Sequence, residues 1–196
     1  KKSIIKKLFI KLSKVLGYEL IDQSDFNSPT LQKELNEDLS IINEKSIILP
    51  LGEVKITKRV NSVLIIFRTN TDVEIWDQNK KRLFEEPKIE YSLRALNSLI
   101  KSVNFSKSKY PKIKFNILVV DDNSKEENLN KLNKLINGSG LDINVVPLKH
   151  DEYKDIIKQQ KNEQTFSNLA SLLQSFELGK EHGEDLVFFV EDDYLH

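Results

Sequence analysis

The chain has 196 residues, 39% of them hydrophobic, with 30 basic and 30 acidic side chains and a formal net charge of zero. That length suits one domain of ordinary size with a core of its own, and the charge balance argues against a protein held on nucleic acid by bulk electrostatics. The lack of cysteine excludes disulfides and thiol chemistry and favours an intracellular site, and no apolar run approaches the roughly 20 residues of a membrane-spanning helix.

The first segment, KKSIIKKLFIKLSKVLG, predicts an amphipathic helix. Ile4, Ile5, Leu8, Phe9, Leu12, Val15 and Leu16 share one face, Lys1, Lys2, Lys6, Lys7, Lys11 and Lys14 fall mostly on the other, and Gly17 is a natural stop. Such a helix either lies in a membrane interface beside anionic lipid or packs on its parent domain with the lysines in water. Residues 22–45 are polar, with a turn at Asn27-Ser28-Pro29 and a short helix from Thr30, and read as a connector. No signal peptide is evident, and methionine is missing even at position 1, so the true start is expected to be missing or trimmed. The organisation expected is an N-terminal helix and connector over 1–45, then one α/β domain over 46–196.

SIILPLGEVKITKRV suggests short extended pieces, and the strong pattern begins at Ser62. SVLIIFRTN (62–70) is a buried strand by its continuous run of apolar and β-branched residues. PKIEYSLRALNSLIKSVN (87–104) has helical spacing at Ile89, Leu93, Leu96 and Ile100. KFNILVVDDNS (114–124) is a second buried strand ending in acids, KEENLNKLNKLING (125–138) a helix closed by Gly138, and LDINVVPL (141–148) a third strand. Residues 165–182 form another helix, and DLVFFVEDD is a fourth, buried strand. This alternation predicts a mostly parallel sheet with helices on both faces.

In such sheets ligands bind beyond the carboxyl ends of the strands. Three of the four strand ends carry polar chemistry: Arg68-Thr69-Asn70, Asp121-Asp122-Asn123 and Glu191-Asp192-Asp193. Asp122, Asn123 or Ser124 could instead cap the following helix. Three adjacent carboxylates repel one another, and a divalent cation with oxygen ligands, Mg2+ or Mn2+, is the usual remedy. Such sites often use one or two protein carboxylates and complete their shell with phosphate oxygens and water, which fits a nucleoside diphosphate. His150 and His182 sit in polar surroundings and read as surface side chains, although Lys149, His150 and Lys154 follow the third strand and could approach a ligand.

ILVVDDNSKEEN followed by VFFVEDDYLH resembles the nucleotide-sugar-binding half of a GT-A-fold glycosyltransferase, most like the family 2 group, over residues 62–196. The Rossmann-like fold of that half is therefore implied, and so is a transferase moving a sugar from a UDP- or GDP-sugar to an unknown glycan, lipid or protein acceptor in cell-envelope polysaccharide synthesis. Carried over, the resemblance makes Asp122 the partner of the base with Asp121 beside it, and lines the same pocket with Arg68 and Thr69. It turns Asp192 to the ribose or sugar and gives the metal to Asp193, with Glu191 in the same motif. It implies a cytoplasmic protein, with residues 1–17 available for peripheral membrane contact on the inner face. Two departures stand out. Residues 70–87, with Trp76, intervene before the first helix, and Trp76 either packs on the sheet edge or covers the nucleotide. The family's acceptor-binding half, with its catalytic base, would follow Asp193, so a fragment inactive by itself is expected. The rival readings are a response-regulator receiver, which VVDDNS and VFFVEDD imitate at the wrong separation, and a non-catalytic interaction module.

Overall fold

A computed structural model describes residues 12, 13, 15, 16, 45–48, 52–55, 57–72, 86–157 and 163–196. Of the N-terminal helix only one turn is described, with the Leu16 N–H donating to the Leu12 carbonyl. The rest of that helix, the connector and Trp76 lie outside the described residues. The chain divides into two compact units. The strands β1 (Lys45–Ile48) and β2 (Gly52–Lys55) belong to the first and pair antiparallel, with Lys45 opposite Lys55 and Ile48 opposite Gly52. The α/β part, Lys58–His196, belongs to the second, and the short extended pieces expected before Ser62 are β1 and β2 of the first.

The second unit runs β3 (Ser62–Thr69), α1 (Lys88–Lys109), β4 (Lys114–Asp121), α2 (Glu126–Asn137), β5 (Ile143–Pro147), α3 (His150–Tyr153), α4 (Glu163–His182) and β6 (Leu186–Glu191). Its sheet has the order β5-β4-β3-β6 and is parallel throughout. The chain starts in the middle, steps outward to β4 and β5, then returns to the far side of β3. The order therefore reverses between β3 and β6, the kind of switch point at which open α/β sheets leave a crevice.

Strand alternation explains why helices cover both faces. Ile65, Phe67, Ile117 and Val119 point to one side, against Leu96, Leu99, Ile100 and Val103 of α1 and Leu132 and Ile136 of α2. Leu64, Ile66 and Val120 point to the other, where Leu178 of α4 joins Leu118 and Val187. A strand covered on both faces has no polar side to alternate with, hence the unbroken apolar runs of β3 and β4.

β6 departs from its expected burial. Its apolar run reads as a central strand, but among the described residues it pairs with β3 alone, and Phe188 and Phe189 are 49% and 39% exposed. Its start is clamped to that of β3 by Asp185, whose Oδ2 accepts the N–H groups of Asn61 (2.8 Å) and Ser62 (3.1 Å) while Oδ1 meets Lys58 Nζ at 2.7 Å. With the amino ends tied, the carboxyl ends come into line: Thr69 is opposite Asp121, and Arg68 is opposite Glu191.

Candidate functional site

The two acidic motifs, far apart in sequence, meet over Asn70. Just past the end of β3, Asn70 donates its side-chain N–H to Asp122 Oδ2 at 2.9 Å and its backbone N–H to Asp192 Oδ2 at 3.4 Å. The Asp122 N–H in turn donates to the Thr69 carbonyl at 2.9 Å. Parallel pairing of β3 with both β4 and β6 makes this possible, because it brings all three carboxyl ends to one edge.

Asp192 is buried in a nest of donors. Its Oδ1 is 2.6 Å from Lys88 Nζ, and its Oδ2 accepts from Ser92 Oγ at 2.6 Å and Thr69 Oγ1 at 2.9 Å. Lys88 and Ser92 come from the first turns of α1, four residues apart and therefore on one helical face. The side chains of Lys88 and Asp192 are 12% and 11% exposed, so the pair is largely withdrawn from water. Glu191 points the opposite way along the pleat, where its Oε1 is 2.5 Å from Arg68 Nη2. The other end of the Arg68 guanidinium donates to the backbone carbonyl and Oδ1 of Asn168 on α4, both at 3.4 Å.

This pairing revises the argument from clustered charge. Two of the three adjacent carboxylates already have counter-charges from the chain itself, so their repulsion by itself does not require a cation. Asp193 is exposed, and half of the Glu191 side chain faces water. No group of three or more metal-ligating side chains occurs among the described residues. The available donors fit a magnesium-type site, in which one carboxylate suffices and phosphate oxygens and water complete the shell, but not an all-protein cage.

Asp121 and Asp122 share the end of β4 and face opposite sides. Asp121 Oδ2 accepts the Ser124 N–H at 3.0 Å, while its Oδ1 is buried with no partner among the described residues. Burial raises its carboxyl above the ordinary aspartate range, and the neighbouring Asp122 and Asp72 charges add to that against the Ser124 hydrogen bonds. Asp122 does not cap α2. The N-cap residue is Lys125, with no side-chain hydrogen bond capping the helix; Asp72 accepts the Lys125 N–H, and Ser124 Oγ accepts from the Thr71 N–H at 3.1 Å. Asn123 turns the chain with a φ of 53°, a left-handed conformation that asparagine tolerates better than most residues.

Asp122 is engaged on both oxygens, by Asn70 and by His150, whose Nε2 lies 2.6 Å from Oδ1. His150 is therefore not the surface side chain its neighbours in sequence suggest. The turn after β5 is held by Gln174 of α4, which accepts from the Lys149 N–H at 2.8 Å and donates to the Pro147 carbonyl at 2.9 Å. That brace swings the imidazole over the strand ends.

The edge thus brings together Arg68, Thr69, Asp121, Asp122, Glu191 and Asp192, and leaves Asp193 at the surface. Lys88, Ser92, Asp72 and Gln174 were not legible as site residues. The i, i+4 spacing of Lys88 and Ser92 at a helix start was visible, but their shared partner was not. No family model, curated protein or solved structure matches the chain.

Proposed function

We propose that the carboxyl edge of this sheet binds a nucleotide-diphosphate sugar, and that the chain contains the donor-binding part of a GT-A-fold glycosyltransferase of the family 2 type. The observation that supports this most is the meeting of the two acidic motifs over Asn70 at the β3–β6 switch point. Dinucleotide-binding sheets place their ligand at the same reversal. Asp122 and its partners would face the base, Arg68 and Thr69 would line the pocket, Asp192 would hold the crevice open beside the sugar, and Asp193 with Glu191 would meet Mn2+ or Mg2+. When bound, the cation would neutralise charge on the leaving diphosphate. Lys88 and Ser92 keep Asp192 in one orientation, so the loop carrying Asp193 starts from a fixed point.

The strand order speaks against the receiver reading. Receivers have the order 2-1-3-4-5, with the phosphoacceptor strand beside the first acidic one. Here β6 lies beside β3 and not beside acidic β4.

The test is titration calorimetry of the chain with UDP, GDP and their sugars, with and without manganese. We expect UDP or GDP to bind more tightly with manganese, and Asp193→Asn to abolish the metal dependence without a change in melting temperature. No binding of any nucleotide would overturn the proposal, and unchanged manganese-dependent affinity in Asp193→Asn would remove the metal from that residue.

A further inference from the structure

Both oxygens of Asp122 are occupied inside the folded chain, by Asn70 Nδ2 at 2.9 Å and His150 Nε2 at 2.6 Å, and Asp122 is only 7% exposed. A nucleobase that used this carboxylate directly would have to break one of those bonds. His150 offers another route. A carboxylate only accepts, so in the tautomer that donates from Nε2 to Asp122 the imidazole keeps a free lone pair at Nδ1. The His150 side chain is 24% exposed, and among the described residues Nδ1 takes no hydrogen bond. The ring is also held in place: Gln174 braces the backbone before it, and the Phe166 ring lies 6.0 Å from it at 31°.

We infer that His150 is the residue that selects the nucleobase, with Asp122 and Asn70 behind it as positioning residues. This rests on the reading of the edge as a nucleotide-diphosphate site. The imidazole Nδ1 accepts the ring N–H of uracil or guanine. Cytosine and adenine carry a lone pair at the corresponding ring nitrogen, so two acceptors would face each other. The site therefore favours UDP- or GDP-sugars over their CDP and ADP counterparts. Asp122, just past β4, and the Phe166 ring on α4 lie against the imidazole.

The experiment is calorimetry of the full chain with UDP, GDP, CDP and ADP in the presence of manganese. We expect UDP or GDP to bind about tenfold more tightly than CDP and ADP, in keeping with one hydrogen bond made against one acceptor left unpaired. His150→Gln keeps one donor for Asp122 and one acceptor for the base and should retain the preference, whereas His150→Leu should lose it. Nitrogen-15 spectra of the unmutated chain check the contact without any substitution: the His150 Nδ1 resonance should move on adding UDP and stay in place with CDP. A still Nδ1 resonance, or an undiminished preference in His150→Leu, overturns the assignment while nucleotide binding itself stands. Binding lost in Asp122→Ala but intact in His150→Leu puts recognition on the carboxylate instead. No nucleotide binding at all overturns both readings.

Discussion

Asp192 joins a strand end to a helix start through side chains alone. Burying an ion pair is costly, and removing one partner leaves the other charge stranded in a poorly solvated place. Lys88→Met should therefore destabilise the chain by about 3 kcal/mol in urea unfolding, and Ser92→Ala, which removes one neutral donor, by about 1 kcal/mol. Adding Asp192→Asn to Lys88→Met should recover part of the loss, because the stranded charge is gone. A Lys88→Met chain as stable as its parent would mean that Asp192 does not depend on this lysine. Asp121 behaves in the opposite sense. Its carboxyl is raised by burial, so its contribution to stability is present at acid pH and is lost as the pH rises through its folded value. Relative to the parent, Asp121→Asn should gain stability from acid to neutral pH. A sequence displays these acids as equals, because burial and partners, not residue type, separate them.

The joints between elements rest on a few close contacts. Gly183 follows α4 and donates its N–H to the Gly179 carbonyl at 3.0 Å. A Cβ there would run into that same backbone oxygen and into Val187 of β6, and backbone cannot swing aside. Gly183→Ala should destabilise by about 2 kcal/mol, the ordinary range for overpacking. At Gly179 the obstacles are Phe189 Cζ at 3.1 Å and Val187 Cγ1 at 3.2 Å, both on side chains at the sheet margin. Those can yield, and alanine gains helix propensity, so Gly179→Ala should stay within about 1 kcal/mol of the parent. The Asp185 clamp should show in acid. Its carboxyl is held down to about 2, first by the Lys58 hydrogen bond and then by the Asn61 N–H. The contribution is present above the ordinary aspartate value and is lost as the pH falls through about 2. Asp185→Asn should melt lower at neutral pH and lose less than the parent on acidification, as followed by circular dichroism.

For the whole molecule, the β6 side of the sheet carries several exposed apolar side chains, with Leu186, Phe188 and Phe189 on the strand and Phe176 beside them. The Phe176 and Phe189 rings meet edge to face at 5.1 Å, so some of this surface is packed against itself. An unpaired edge with aromatic flanks favours association. Phe188→Lys should lower concentration-dependent light scattering while leaving the melting temperature nearly unchanged. Equal scattering in the variant would place self-association on another surface.

The alternation of apolar runs with helical spacing was enough to specify a parallel α/β sheet, because two-sided burial leaves no other pattern for β3 and β4. It located α1, α2 and α4, though it ended α1 early at residue 104 and gave no helix at α3, and it pointed to the strand ends as the edge where polar side chains gather. It could not give the order of the strands, since adjacency in a sheet is decided by which helix covers which face. That order makes β6 a neighbour of β3, and so brings Asp192 to Thr69, Asn70, Lys88 and Ser92. It also exposes a run of residues that reads as buried. His150 shows the same division. Its neighbours Lys149, Asp151 and Glu152 suggest water, and only the turn braced by Gln174 carries the imidazole to Asp122. Local pattern decided what each segment is, and long-range packing decided which charges meet.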